Sequence, residues 1–258
     1  MASNVSRSHA VPPALPLLVS EPWRALYAFY EYARLCRSAD AAAQPRGDGH
    51  VVILFPGLAS DAGPLLPLRS HCRRLGYDAI DWGRGLNTGP GRDIDGWLTE
   101  LALHLQHSVA QRAASAADGT VSLIGWSLGG LYAREVAKLW PERVRQVITI
   151  GTPFNGEPCS THARHLYRWL NGSAPSDDRA LLRRLRVPPP QPTTSIFSRR
   201  DGIVAWLACT HNAPRAGVQD IEVSGSHLGM GWNPQVLAVV ADRLAQPPNR
   251  WRPYRSAG

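Results

Sequence analysis

Apolar positions along this chain change period several times, and the changes mark out alternating strands and helices. Val51-Val-Ile-Leu-Phe55 is a continuous apolar run of strand length, as a strand buried on both faces requires. Gly63 to Leu75 reads as a helix, Tyr77 to Trp82 as a strand, and Ile94 to Ala114 as a long helix. Thr120 to Gly125 and Val144 to Ile150 are β-branched strands. Between them, Leu128, Leu131, Tyr132, Val136 and Leu139 recur near helical spacing over Leu128 to Trp140. Thr193 to Phe197 and Ile221 to Val223 add two strands, and Pro234 to Leu244 a final helix. Strands alternating with helices predict an α/β fold, with a mostly parallel central sheet and helices on both of its faces.

Some stretches break this rhythm. Residues 1–20 read as a loose tail. Glu21 to Arg37, opened by Glu21-Pro22 and carrying Trp23, Leu26, Tyr27, Tyr30, Ala33 and Leu35, predicts an amphipathic helix. Asp40 to Gly49 is small and polar, hence a linker. Residues 155–191 carry no strand signal, only short helical patterns near His162–Leu170 and Asp178–Leu185 and the run Pro188-Pro-Pro190. An insertion after a strand's C-terminal end overhangs the sheet edge where ligands bind, so a small helical cap or lid is expected there. The expected division is a tail and helix over 1–49, a core over 50–154 and 192–246, a cap over 155–191, and a tail over 247–258.

Composition narrows the classes. A chain of 258 residues suits one domain with a sizeable core, and 44% apolar content argues against disorder. The formal charge is +8 and the isoelectric point about 9.8, carried almost wholly by arginine, with Lys138 the single lysine. The arginines are scattered and nowhere joined to stacking aromatics, so nucleic acid is not an expected partner. An anionic partner or a peripheral membrane contact stays open. Cys36, Cys72, Cys159 and Cys209 lack a C-x-x-C spacing and read as reduced thiols, with one disulfide left open. No apolar run approaches bilayer length, and Pro12, Pro13 and Pro16 spoil a signal peptide, so a cytoplasmic location is expected.

The candidate chemistry centres on Gly125-Trp126-Ser127-Leu128-Gly129, set between a strand pattern and a helix pattern. A serine at such a joint needs a sharp, crowded turn, and small residues two before and two after relieve the crowding. The helix that follows aims its free N–H groups at the same spot. A serine hydroxyl needs a base, and the base a carboxylate. His227, in the small-residue loop Val223 to Gly229 after the last strand, is the candidate base, with His211 its rival. Asp201, just past strand Thr193–Phe197, is the candidate acid, with Asp177, Asp178 and Asp220 in poorer contexts. Oxyanion donors are expected from the backbone N–H groups of Leu128 and of Leu58, in the turn after Val51–Phe55. His162 and His165 have a helical spacing but no third metal ligand nearby, so no metal and no cofactor is expected.

The strand ending Phe55-Pro-Gly-Leu58, the elbow at Ser127, Val147-Ile-Thr-Ile-Gly-Thr-Pro153, Asp201-Gly-Ile-Val204 and Gly225-Ser-His227 together resemble the α/β-hydrolase fold family, in particular its lipase- and esterase-like members. The resemblance spans roughly residues 50–245. The family often has His-Gly before the first oxyanion donor, where this chain has Pro56-Gly57. Where larger members have two further antiparallel strands at the start, this chain has the helix pattern at 22–37. The resemblance implies a serine hydrolase cleaving carboxylic esters through an acyl-enzyme on Ser127, with an ester or acyl lipid substrate. Trp126, Phe154, Trp169 and Trp232 are the candidate substrate-binding residues. Acyl transfer or thioester hydrolysis by the same triad is an alternative, and a catalytically silent binding protein a third.

Overall fold

A computed structural model describes residues 11–37, 45–112, 119–156, 160–163, 178–211, 213–248 and 250–255. Six strands form one sheet: β1 Val51–Phe55, β2 Asp78–Asp81, β3 Val121–Trp126, β4 Val144–Ile150, β5 Thr193–Phe197 and β6 Val218–Glu222. Their order is β2-β1-β3-β4-β5-β6, and every pairing is parallel. The helices are α1 Leu15–Val19, α2 Glu21–Leu35, α3 Leu66–Arg74, α4 Ile94–Ala110, α5 Leu128–Leu139, α6 Arg179–Arg186 and α7 Pro234–Leu244.

The period of two along each strand sorts its side chains into two cores. Val52, Leu54, Ile124, Trp126, Ile148 and Ile150 pack with Leu68 and Cys72 of α3 and with Val236, Leu237 and Val240 of α7. Val51, Ile53, Phe55, Val121, Leu123 and Val147 face the other way, onto Leu98, Leu101 and Leu105 of α4 and Tyr132 and Val136 of α5. Helices therefore cover both faces, as the alternating pattern predicts.

The chain leaves β1 in one direction across the sheet and β3 in the other. Adjacent strands whose connections depart to opposite faces leave a crevice beyond their C-terminal ends. The turn after β1 and the elbow after β3 both open into that crevice.

The N-terminal expectation needs correction: residues 15–19 form α1 rather than loose tail, because Leu17 and Leu18 N–H donate to Ala14 O and Pro16 starts a turn. Strand β6 begins at Val218, three residues before the expected Ile221, since register with β5 extends the pairing beyond the apolar residues. The helical pattern near His162–Leu170 lies almost wholly outside the described residues, as do His165, Trp169, Asp177 and Cys159. Cys36, Cys72 and Cys209 are free thiols.

Candidate active site

Ser127 stands between β3 and α5 with φ 54° and ψ −124°, one of two non-glycine residues described with positive φ. This left-handed backbone costs free energy and persists only where its surroundings over-determine it. Two close approaches do so. A Cβ at Gly125 would overlap Gly130 Cα, and a Cβ at Gly129 would overlap the Phe55 and Pro56 carbonyls. The Ser127 N–H donates to Ile150 O at 2.8 Å, pinning the elbow to β4.

Asp201 lies past β5 and is buried. Its Oδ1 accepts the N–H groups of Ile203 at 2.8 Å and Val204 at 2.7 Å. That turn frees Oδ2, which meets His227 Nδ1 at 2.6 Å. His227, also buried, lies against the elbow: its ring centroid is 5.6 Å from that of Trp126, whose Nε1 donates to His227 O at 3.2 Å. A Cβ on Gly151, at the end of β4, would sit 3.0 Å from His227 Nδ1. The imidazole thus lies over the C-terminal ends of β3 and β4. Burial opposes charge on His227, but the Asp201 carboxylate and, more remotely, Glu21 outweigh it and raise its pKa above the ordinary 6.5.

The turn after β1 faces the same place. A Cβ on Gly57 would be 3.3 Å from Ser127 Cβ. Among the described residues, neither Leu58 nor Leu128 donates its N–H to a backbone carbonyl outside its own helix. These amides lie in the turn after β1 and at the first residue of α5.

The rival base is otherwise engaged. His211 Nδ1 lies 2.6 Å from Asp220 Oδ1, and its Nε2 lies 3.2 Å from Nη1 of the buried Arg134. With a carboxylate on one ring nitrogen and a guanidinium on the other, both ring nitrogens of His211 are engaged within this cluster. Phe154 belongs to this cluster, its ring 3.9 Å below the Arg134 guanidinium and 4.4 Å from His211. Asp178 caps α6 by accepting from Ala180 and Leu181 N–H. Trp232 donates from Nε1 to Ala25 O at 2.9 Å and stands edge-on to Phe29, which ties it to α2.

No family model matches the chain. A curated relative, the pimeloyl-(acyl-carrier protein) methyl ester esterase of Shewanella woodyi, is 27% identical over 114 residues. The protein of the same name from Klebsiella pneumoniae is 32% identical over 116 residues. Each alignment covers 44% of this chain and 38% of the relative, so the chain spans well under half the length of the curated relatives it matches. Among solved structures, a chain from the work on LipS and LipT, two metagenome-derived lipolytic enzymes, gives a TM-score of 0.53 at 15% identity, covering 78% of this chain and 93% of that one. A thermostable carboxylesterase cloned from a metagenomic library gives 0.53 at 15% identity, covering 79% and 82%. Monoglyceride lipase of Saccharomyces cerevisiae gives 0.53 at 12% identity, covering 78% and 87%. The chain has the α/β-hydrolase fold.

Three residues that the sequence analysis did not single out brace this site. Asn87, fully buried, donates from Nδ2 to Pro56 O at 2.8 Å, while its own carbonyl accepts Ala59 N–H at 2.7 Å and its N–H donates to Ser60 O at 2.9 Å. It therefore fixes the turn that carries Leu58. Ser198 Oγ donates to Gly225 O at 2.8 Å and accepts from Arg200 N–H at 3.0 Å, joining the acid loop to the histidine loop. Glu21 of α2 is the third.

Proposed function

We propose that the protein is a serine hydrolase that cleaves carboxylic esters through an acyl-enzyme on Ser127. One observation carries this reading: a serine held at positive φ on a strand-to-helix elbow, with a histidine packed against the neighbouring Trp126 and bonded through Nδ1 to a buried carboxylate. In the reaction, neutral His227 takes the hydroxyl proton as Ser127 Oγ attacks the ester carbonyl. The Leu58 and Leu128 N–H groups hold the negative oxygen that forms. His227 returns the proton to the departing alcohol, then activates water to release the acid. Asp201 keeps the imidazole in the right tautomer and stabilises its charged form. The names of the curated relatives and of the structural neighbours support an ester substrate. The cap over 155–191 belongs to the same reading. Its described ends tie back to the core, through Thr161 paired with Val204 at the acid loop and Arg134 bonded to the Leu185 and Arg186 carbonyls. Trp126, Phe154, Trp169 and Trp232 stay as candidate acyl contacts.

Incubation of the purified protein with a fluorophosphonate probe should give a stable adduct on Ser127, found by peptide mass spectrometry. p-Nitrophenyl esters of graded chain length should be hydrolysed, with a preference that reports the acyl site. Absence of the adduct under conditions that label a known serine hydrolase would favour the silent binding protein instead.

The same reading extends to where the substrate is met. An amphipathic helix ordinarily buries its apolar stripe. Here α2 turns Glu21, Ala25 and Ala28 inward, because Gly229 lets the two small residues approach closely. Trp23, Leu26, Tyr27 and Tyr30 recur at helical spacing and are 74%, 60%, 63% and 58% exposed. Exposed Arg34 and Arg37 follow, on a chain of net charge +8. Trp and Tyr suit the headgroup level, and arginines suit anionic lipid, so we assign this stripe to an anionic membrane surface. Co-sedimentation with phosphatidylserine-bearing vesicles should exceed that with neutral phosphatidylcholine, weaken with salt, and vanish in Trp23→Ser/Leu26→Ser. Self-association that disappears in this variant, without vesicle binding, would make the stripe a dimer face and overturn the assignment.

A further inference from the structure

Glu21 is a buried carboxylate that the proposed acyl transfer does not use. It is 1% exposed, at the first turn of α2. Its Oε1 accepts the Gly202 N–H at 2.7 Å and the His227 N–H at 3.0 Å, and its Oε2 accepts the Leu228 N–H at 3.0 Å. Arg24 Nη2 also donates to Oε1 at 3.0 Å. Gly202 directly follows the candidate acid, and His227 is the candidate base.

One side chain thus closes two loops that arise from different strands. Buried loop amides must find acceptors, and a carboxylate offers several at once. The support behind Glu21 is built as well. Arg24 donates to Ser20 Oγ at 3.0 Å, to Leu17 O at 2.7 Å and to Arg200 O, which binds α1 and the acid loop to the same corner. A Cβ on Gly202 would overlap the Leu17 carbonyl, so α1 lies directly on the residue after the acid.

We propose that Glu21 is a positioning residue of this site: it fixes the His227 backbone where the ring reaches Asp201, and it adds a second negative charge behind the imidazolium. The proposal rests on the reading of Ser127, His227 and Asp201 given above. Among the described residues, the charged groups around His227 are Asp201 from the loop after β5 and Glu21 from α2, with Arg24 turned to Glu21. Its other close neighbours, Trp126 and Gly151, are neutral.

Glu21→Gln keeps the size and one acceptor oxygen but loses the other oxygen and the charge. Two quantities test it: kcat/KM for a p-nitrophenyl ester against pH, and the titration of the His227 imidazole by NMR, its signal assigned by absence in His227→Asn. With melting unchanged, kcat/KM should fall about ten- to hundredfold, the size expected for hydrogen bonds to a charged group. The acid limb and the NMR titration should both move to lower pH, because an anion that favours imidazolium is gone. Wild-type kinetics with an unmoved limb would overturn the proposal. So would an activity loss that only tracks unfolding while the titration stays put. Where Glu21→Gln does not fold, Glu21→Asp takes its place: a lowered kcat at normal melting supports the proposal, and wild-type kinetics overturns it. A wild-type protein that hydrolyses no ester and takes no fluorophosphonate would sink the proposed function, yet the NMR titration would still decide Glu21.

Discussion

Ser127→Ala should abolish ester hydrolysis, by about a millionfold in kcat, and remove the fluorophosphonate adduct. Without the hydroxyl no acyl-enzyme forms, and the remaining oxyanion donors act only on direct attack by water. The fold should survive. The strain at Ser127 belongs to its backbone, set by the close approaches at Gly125 and Gly129 and the bond to Ile150 O, none of which needs the hydroxyl. Alanine bears the same positive φ, as Ala59 does at 54° in the neighbouring turn. Melting by circular dichroism should therefore match the parent. Residual turnover near the parent rate, in a normally melting variant, would move the nucleophile elsewhere.

Asp201→Asn should cost about three to four orders of magnitude in kcat. The Ile203 and Val204 amides can still be accepted by the Asn carbonyl, so the turn keeps its shape. The amide nitrogen would then face His227 Nδ1, and the imidazole would be held in the wrong tautomer with no charge to balance imidazolium. The sign of the pH effect follows. His227 must be neutral to act as base, and its pKa is raised because Asp201 and Glu21 outweigh burial. The wild-type rate should hence rise with pH through a limb shifted upward from the ordinary imidazole value and then plateau. In Asp201→Asn the residual activity should show that limb at lower pH. Asp178→Asn and Asp220→Asn, which remove a helix cap and the partner of His211, should leave the rate per folded molecule unchanged. A collapse in one of these with Asp201→Asn active would reassign the acid.

Another Ser–His–Asp grouping in the same molecule shows what the proposed triad has besides three side chains. His50 Nε2 lies 2.8 Å from Ser122 Oγ, and His50 Nδ1 meets Asp48. Arg145 holds the other Asp48 oxygen at 2.8 Å, and Gln146 Nε2 donates to Ser122 Oγ at 3.3 Å. These residues sit at the N-terminal edge of the sheet. Ser122 is fully buried as the second residue of β3, where the register with β4 shifts, and not at a strand-to-helix joint. The hydrogen bonds there fasten β1, β3 and β4 to each other. Ser127 differs in place: it follows the end of its strand, precedes a helix, and faces the turn after β1.

Local pattern alone determined the alternation of strands and helices, because burial on one or both faces imposes a period that the residues must follow. It also determined the elbow at Ser127, since the steric demand there is met by residues only two positions away, and it pointed to the loops bearing Asp201 and His227. The partners of individual groups were decided only by the tertiary structure. Asp201 rather than Asp220 pairs with His227 because the loops after β5 and β6 meet above β4, while Asp220 lies within β6 and turns to His211 and Arg134. The inward side of α2 could not be read from its apolar stripe either. Small residues there meet Gly229, some two hundred positions away, and leave the aromatics outside. Glu21, Asn87 and Ser198 carry no local signature at all, since each acts on backbone amides or carbonyls that chain folding brings from distant segments, and a hydrogen bond to backbone leaves no mark on the identity of its partner.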